Sequence, residues 1–435
     1  MPAVISHNLN SLASRVTFMA ATAAVALALA GMAAWVGVAG YWGESLDVAG
    51  LERAIRFDGE NAAFHYRLGQ LYVWVALEPE RGVSHLRRAV QLSPGRAGYW
   101  SALGWACIAV GEEHCSTDAL HTAVRVAPMS PQATWELANY LTVTGSEADA
   151  VAALGRFLEL DQGVEYPDPS RAFRLYLRAF GDSSGMWKLL NTHPGLAALR
   201  MPFIHFTAAQ GHSAAALKEW DELVTSRGPI TPPEAAAFTE DLLLRGLYID
   251  AVRAWKQAKE IGIVSAPDEK ELVFNGGFEQ EPLKTGFDWQ PLPQPYIHVS
   301  FSAVPAHDDQ RCLEIQYTTA DNSEFEPIAE IVPVSANRRY RLRAYARSSG
   351  ITSDSGPRLR VTDPECRSCL DTATEGTTGT TPWHEVTLDF TAGPKENVAM
   401  ISVWRPRGRT YPMDITGEFW LDSVSLTLQP DPATK

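Results

Sequence analysis

LVFNGGFEQ, Leu272 to Gln280, is the stretch on which the reading of the fold turns. Upstream of it, apolar residues recur at helical spacing, as in TEDLLLRGLYIDAVRAWKQAKEIG from Thr239 to Gly262. Downstream, CLEIQYTT (Cys312 to Thr319), AEIVPVS (Ala329 to Ser335), RRYRLRAYARS (Arg338 to Ser348), WHEVTLDFTA (Trp383 to Ala392), VAMISVWRP (Val398 to Pro406) and EFWLDSVSLTL (Glu418 to Leu428) alternate with period two. Gly, Pro, Asn, Asp and Ser separate these segments. That pattern predicts an antiparallel β sandwich over 272–428, a length that suits a jelly roll of two packed sheets. NGGFE is then the start of a new domain. Gly276 and Gly277 are expected to make a tight turn at positive φ, and Phe278 to enter the sandwich.

The chain has 435 residues, which suggests two or three domains. Its formal net charge of −14 excludes nucleic acid as the default partner, because phosphate binding needs a basic surface. Five cysteines are too few for a disulfide scaffold. Cys107 and Cys115 lie at the end of one predicted helix and near the start of the next. Cys366 and Cys369 form a CxxC in a loop rich in Asp, Thr and Gly. No second Cys or His pair at matching spacing supports zinc, so a structural disulfide or two thiols is the better reading. Cys312 is expected to be buried in a strand.

From Val16 to Gly43 no residue is charged. The run exceeds the roughly 20 residues that cross a hydrocarbon core. Arg15 precedes it and Glu44, Asp47 and Glu52 follow, which places the N-terminal tail inside and the remainder outside. Trp35, Tyr41 and Trp42 stand where an interfacial belt would lie. The competing reading is a cleaved signal peptide, given small residues from Ala28 to Ala34; the run is longer than the usual h-region.

Residues 48–160 are self-similar. Leu68-Gly69 and Leu103-Gly104 are 35 apart, Trp100 and Trp135 are 35 apart, and Pro94 and Pro128 are 34 apart. The unit from Ala97 to Ser130, with Trp100, Leu103, Gly104, Leu120, Ala123 and Pro128, resembles the tetratricopeptide repeat (TPR). Gly104 and Ala123 would let two helices approach, and Pro128 would end the unit. The unit at 61–96 is looser because of Glu78-Pro79-Glu80, and 131–162 is weaker still. Helical pairs run on to Gly262, with a break at Gly246. Such pairs bury their apolar faces against neighbours, so a stack with a concave surface for a protein partner is expected; a plain spacer is the alternative.

LVFNGGFEQ at one end and WLDSVSL at the other, with RRYRLRAYAR and WHEVTLDF between, resemble jelly-roll carbohydrate-binding modules of the superfamily of families 4, 9 and 22. The resemblance implies adjacent terminal strands and a structural calcium held by Gly277, Glu279 and Asp422, with the loop at His307 to Asp309 a further source of ligands. Several oxygen ligands suit calcium, and carboxylates from two distant strands would staple the sandwich. Alternatively these are surface carboxylates at strand ends. The family keeps core tryptophans where Trp289, Trp383 and Trp420 fall, so these are expected to be buried. Trp404, Tyr411 and Tyr296 lie near loops and, with Arg405, Arg407 and Arg409, could form a platform for an acidic glycan; packing or an interaction patch is the alternative. VWRPRGRTYPMDITGEFWLDSVSL also resembles the C-terminal module of bacterial inner-membrane tetratricopeptide proteins that accompany exopolysaccharide or O-antigen assembly.

No nucleophile elbow, Walker loop, HExxH or dinucleotide fingerprint occurs. Asp308 with Asp309, or Glu324 with Glu326, could mimic glycosidase acids, but such acids must flank a cleft. His193, His205 and His212 lack metal-ligand spacing. The sequence therefore predicts a non-enzymatic, multidomain α + β chain. Its parts are a cytoplasmic tail (1–15), a transmembrane signal anchor (16–43), a TPR-like helical domain (48–262), a linker (263–271), a jelly roll (272–428) and a tail (429–435). The expected role is a single-pass inner-membrane scaffold with its bulk in the periplasm. Its repeats would bind a protein and its jelly roll a polysaccharide. The alternative is a protein-only envelope assembly factor with a structural jelly roll.

Overall fold

The structure is a computed structural model that describes residues 12–144, 146–164, 167–264, 271–302, 306–319, 322–411 and 413–430. It has two compact units, Met1–Leu196 and Ala197–Lys435.

The first unit opens with α1 (Leu12–Gly43), which is long and apolar enough to cross a membrane. α2 (Val48–Phe57) follows, its N-terminus capped by the Asp47 carboxylate, which accepts the Gly50 N–H. Among the described residues three helical pairs come next, α3 (Ala62–Trp74) with α4 (Pro79–Leu92), α5 (Ala97–Ala109) with α6 (Glu113–Val126) and α7 (Pro131–Thr144) with α8 (Glu147–Asp161), followed by α9 (Ser170–Phe180) and α10 (Ser184–Thr192), each of which packs on α8. The repeat residues act as their types require. A Cβ at Gly104 would lie 2.6 Å from Leu120 Cγ, and one at Gly69 2.6 Å from Leu86 Cγ, so only glycine lets these helices meet. Ala123 is fully buried on α6. Pro79 takes the first turn of α4, where its missing N–H costs nothing, so Glu78-Pro79-Glu80 starts a helix rather than loosening the pair. A disulfide between Cys107 and Cys115 ties α5 to α6.

The second unit starts with α11 (Arg200–Ala209), α12 (Ser213–Thr225), α13 (Pro232–Leu243) and α14 (Tyr248–Glu260). Gly246, at φ 71°, makes the break between α13 and α14. These last helices belong with the sandwich. Trp255 on α14 packs edge-on against Phe274 at 5.3 Å and tilted on Phe287 at 5.8 Å. Glu240 on α13 accepts the Gly286 N–H at 2.8 Å and the Gln290 side-chain amide at 3.1 Å. The expected linker does not divide the chain into compact units; most of it, residues 265–270, lies outside the described residues.

Among the described residues the sandwich has ten strands: β1 (Gln290–Pro291), β2 (Ile297–Ser302), β3 (Cys312–Thr319), β4 (Phe325–Pro333), β5 (Arg339–Ile351), β6 (Arg358–Thr362), β7 (Asp371–Ala373), β8 (Gly379–Thr391), β9 (Val398–Arg405) and β10 (Ile415–Leu428). They form two antiparallel sheets, β1-β4-β9-β6-β7 and β2-β3-β10-β5-β8. The alternation seen in the sequence sets the core. Ile328, Leu359, Ile401 and Val403 from the first sheet meet Leu313, Ile315, Leu342 and Phe419 from the second. Cys312 is buried in β3, as its strand predicted.

NGGFE starts the domain, but by another device than expected. Positive φ falls on Asn275 (55°) and Phe278 (56°), not on Gly276 or Gly277. Asn275 holds the turn by bonding both the N–H and the C=O of Gln280 through its side-chain amide. Gly276 is required for a different reason: its carbonyl accepts the Val424 N–H at 2.9 Å, and a Cβ there would meet the Val424 carbonyl oxygen at 1.9 Å. Phe278 enters the core fully buried.

Candidate functional site

Among the described residues, strand register puts the stretches 292–296, 322–324, 352–357, 374–378, 406–411 and 413–414 at one end of the sandwich. All five residues proposed for glycan contact gather at this end, in three different roles. Tyr411 is 91 % exposed and Tyr296 63 % exposed, each on a loop. Arg407 is exposed on the same loop as Tyr411.

Arg405 is a correction. It is fully buried, not part of a platform. Its guanidinium donates to Asn322 Oδ1 at 3.2 Å, Ser323 O at 2.7 Å, Ser353 Oγ at 2.9 Å, Ser355 O at 3.3 Å and Met413 O at 2.7 Å. One side chain thus ties three loops together, using the planar five-donor fork that only arginine has. Burial lowers its pKa. Two further groups fix the 406–414 loop. Asn322 accepts the Gly408 N–H and donates to the Gly408 carbonyl. Asp354 accepts from the Thr410 hydroxyl and from the N–H groups of Arg409 and Thr410, and the hydroxyl bond above all holds its carboxyl below the usual range. Sequence reasoning missed Asn322 and Asp354, because short polar residues in loops carry no signal of what they cap.

Trp404 stands on the outer face of the first sheet, half-buried. Its indole N–H donates to Glu324 at 2.6 Å, and the Arg360 guanidinium lies 4.3 Å from its ring centre. Arg360 is itself clamped by Asp371 through two bonds of 2.8 and 2.6 Å. One ring face is therefore engaged by a cation, and Trp404 and Tyr411 make no ring contact with each other. Glu326 likewise accepts from Ser402 at 2.6 Å and pairs with Arg367 at 3.3 Å.

The expected core tryptophans separate. Trp289 is fully buried in the core. Trp420 is buried too, but with Glu418 and Asp422 it alternates with Phe419 and Leu421 and so faces outward, under the Arg347 guanidinium at 5.0 Å. Trp383 is half-buried, at 5.9 Å from His307, which stacks on Tyr345 at 3.6 Å.

The residues proposed for calcium are engaged by backbone amides. Asp422 is fully buried, and its oxygens accept N–H groups from His307 (2.8 Å), Asp308 (3.2 Å) and Ser423 (2.6 Å). Glu279 accepts those of Gln310 (3.0 Å) and Arg311 (2.8 Å) on one oxygen. Five amide donors thus point at these carboxylates. Hydrogen bonds staple the first turn of the sandwich and its last strand to the 306–311 loop. Among the described residues, two clusters have metal-ligand proximity, around Cys107/Cys115 and Cys366/Cys369, and both cysteine pairs are disulfides. His193 pairs with Glu159 at 2.9 Å and His205 with Asp241 at 2.8 Å, and His212 precedes α12.

The first unit carries a second candidate, a groove with a cavity of about 250 Å³ across α3, α5 and α7. The small residues Gly98, Ser101, Ala102 and Ala133 line it together with the aromatic rings of Tyr66, Trp74 and Trp105. Tyr66 stacks on Tyr99 at 4.5 Å, and burial raises its pKa. Trp74 is 59 % exposed. Glu136 accepts from the Trp105 indole and from Gln132. The adjoining cavity is lined by Asp161 and Arg171, which pair at 2.9 Å.

No protein-family model matches the chain, and no curated protein matches it. Similar solved structures include MamA, 18% identical over 34% of this chain and 84% of that one, with a TM-score of 0.29. YrrB, described as a TPR protein with an unusual peptide-binding site, is 18% identical over 34% of this chain and 76% of its own, with a TM-score of 0.27. A CBM4 structure is 11% identical over 36% of this chain and 99% of its own, with a TM-score of 0.28.

Proposed function

We propose that this chain is a non-catalytic, membrane-anchored adaptor in the assembly or export of a cell-surface polysaccharide, its bulk outside the bacterial inner membrane. The observation that carries the reading is the groove over α3, α5 and α7. Small lining residues leave room for an extended backbone, and the three aromatic rings beside them offer its apolar side chains contact. The protein partner would lie there. The glycan would meet Tyr411 and Arg407, on a loop that Arg405, Asn322 and Asp354 make rigid, and Tyr296, whose carbonyl accepts from Thr318, so that little ordering entropy opposes contact. Of the carboxylates that could mimic glycosidase acids, Glu324 and Glu326 are engaged by Trp404, Arg360, Ser402 and Arg367, which supports a binding role over a catalytic one.

A protein-only assembly factor is the second reading, favoured by Trp404, whose ring is held by Glu324 and Arg360 rather than offered to a sugar. Titrating the detergent-solubilised full chain with acidic and neutral bacterial polysaccharides separates the two. Saturable binding that is lost in Tyr411→Ala supports the adaptor. A folded chain that binds no glycan leaves the protein-only factor.

A further inference from the structure

The apolar run is too long for what it has to cross. Val16 to Gly43 is 28 residues, or about 42 Å of helix, against a hydrocarbon core of about 30 Å. The surplus is about eight residues. The structure shows where they are. In α1 the residues up to Val38 are exposed or nearly so, whereas Ala39 and Gly43 are buried. Gly43 sits against Phe64 of α3, and its carbonyl accepts from Arg67. α2 packs alongside α1: the Arg53 guanidinium lies 4.7 Å from the Trp42 ring centre, and the Trp35 indole N–H donates to the Phe57 carbonyl at 2.8 Å. That carbonyl is one of those left without a helical partner at the end of α2.

From this we infer that the bilayer surface lies at the level of Trp35 and Phe57. Val16–Trp35, 20 residues and about 30 Å, spans the hydrocarbon, and Val36–Gly43 rises out of it as the first helix of the repeat array. Trp35, not Tyr41 or Trp42, is then the belt residue, its ring at the interface and its N–H bonded. The C-terminal end of α2 reaches the same level and sets exposed Arg56 among lipid phosphates, with Arg53 one turn above. The membrane partner is the bilayer surface itself, and the array is seated on it without a flexible tether.

This rests on the reading of α1 as an uncleaved membrane anchor. The full chain is reconstituted in nanodiscs of phosphatidylethanolamine and phosphatidylglycerol, with single cysteines at Gly31, Gly37 or Gly40. A Cβ at each of these meets nothing within 4 Å, so the variants should fold. A hydrophilic maleimide is expected to label Gly37→Cys and Gly40→Cys and to spare Gly31→Cys until detergent is added. Protection of Gly40→Cys would overturn the boundary while leaving the anchor intact. A chain that carbonate strips from membranes, with all three sites labelled, would overturn the anchor itself. For α2, a bimane on Arg56→Cys should be quenched by headgroup-nitroxide lipid and one on Ala49→Cys should not; equal quenching at both overturns the seating.

Discussion

The Gly276 carbonyl accepts the Val424 N–H at 2.9 Å, and a Cβ on Gly276 would lie 1.9 Å from the Val424 oxygen. The first turn of the sandwich and its last strand are thus in backbone contact, with no room for a side chain. Gly276→Ala must push two main chains apart. A loss of about 3 kcal/mol is expected, the upper end of overpacking costs. Gly277→Ala, with only Glu279 Cγ near at 3.9 Å, should cost less than about 1 kcal/mol. Thermal unfolding of the two variants checks the contrast; equal losses would remove close approach as the reason for Gly276.

Much of this was legible beforehand. The Leu-Gly spacing of 35 named Gly69 and Gly104 as approach points, and Leu86 and Leu120 occupy the space each leaves. Period-two alternation placed Leu313, Ile315 and Phe419 in the core, because a strand face is local information. The same alternation marks Trp420 as outward; the family expectation obscured it. What stayed hidden depends on partners distant in sequence. Trp255 looked like one more apolar helix position, and only the fold brings Phe274 and Phe287 to it. Arg405 looked like a loop cation because its five acceptors come from three other segments.

Two buried carboxyls set a pH dependence. Burial pushes Asp288 up to about 6, against the donors Leu283, Trp289 and Asn275, and pushes Glu330 well above its ordinary value, against the Phe274 N–H. Both folded values are raised. Their stabilising effect is therefore full below the ordinary carboxyl pKa and is lost as pH rises through the folded values. For Asp288 the window runs from about 4 to 6 and is worth about 3 kcal/mol. Glu330→Gln removes one titrating group while keeping an acceptor for Phe274. The drop in Tm between pH 5 and pH 8 should be smaller in Glu330→Gln than in the parent chain. An identical slope in both would show that Glu330 is not held protonated.

The staple at the start of the sandwich should need no calcium. Asp422 serves three N–H groups and Glu279 two. Chelator and millimolar calcium are expected to leave Tm unchanged. Asp422→Ala leaves buried donors unmet and should cost about 2–4 kcal/mol, whereas Asp422→Asn, which keeps an acceptor oxygen, should cost less. A calcium-dependent rise in Tm that disappears in Asp422→Asn would restore the metal.

Arg405 offers the sharpest separation of scaffold from contact surface. Its fork reaches Asn322, Ser323, Ser353, Ser355 and Met413, so Arg405→Lys keeps the charge and loses the geometry. A buried ammonium with three donors cannot serve five acceptors, and a loss of about 2–4 kcal/mol is expected. The 406–414 loop should loosen first, because Asn322 and Asp354 hold it only through hydrogen bonds at the surface. That loop carries Arg407 and Arg409, so limited trypsin digestion reports directly on it. Faster cleavage there in Arg405→Lys, with the rest of the chain intact, would show that Arg405 acts by holding the loops. Tyr411→Ala, at a position 91 % exposed, should leave both the digestion pattern and Tm unchanged within about 0.5 kcal/mol of stability. If instead Arg405→Lys digests like the parent chain, the loops are held by Asn322 and Asp354 alone, and rigidity no longer depends on the buried guanidinium.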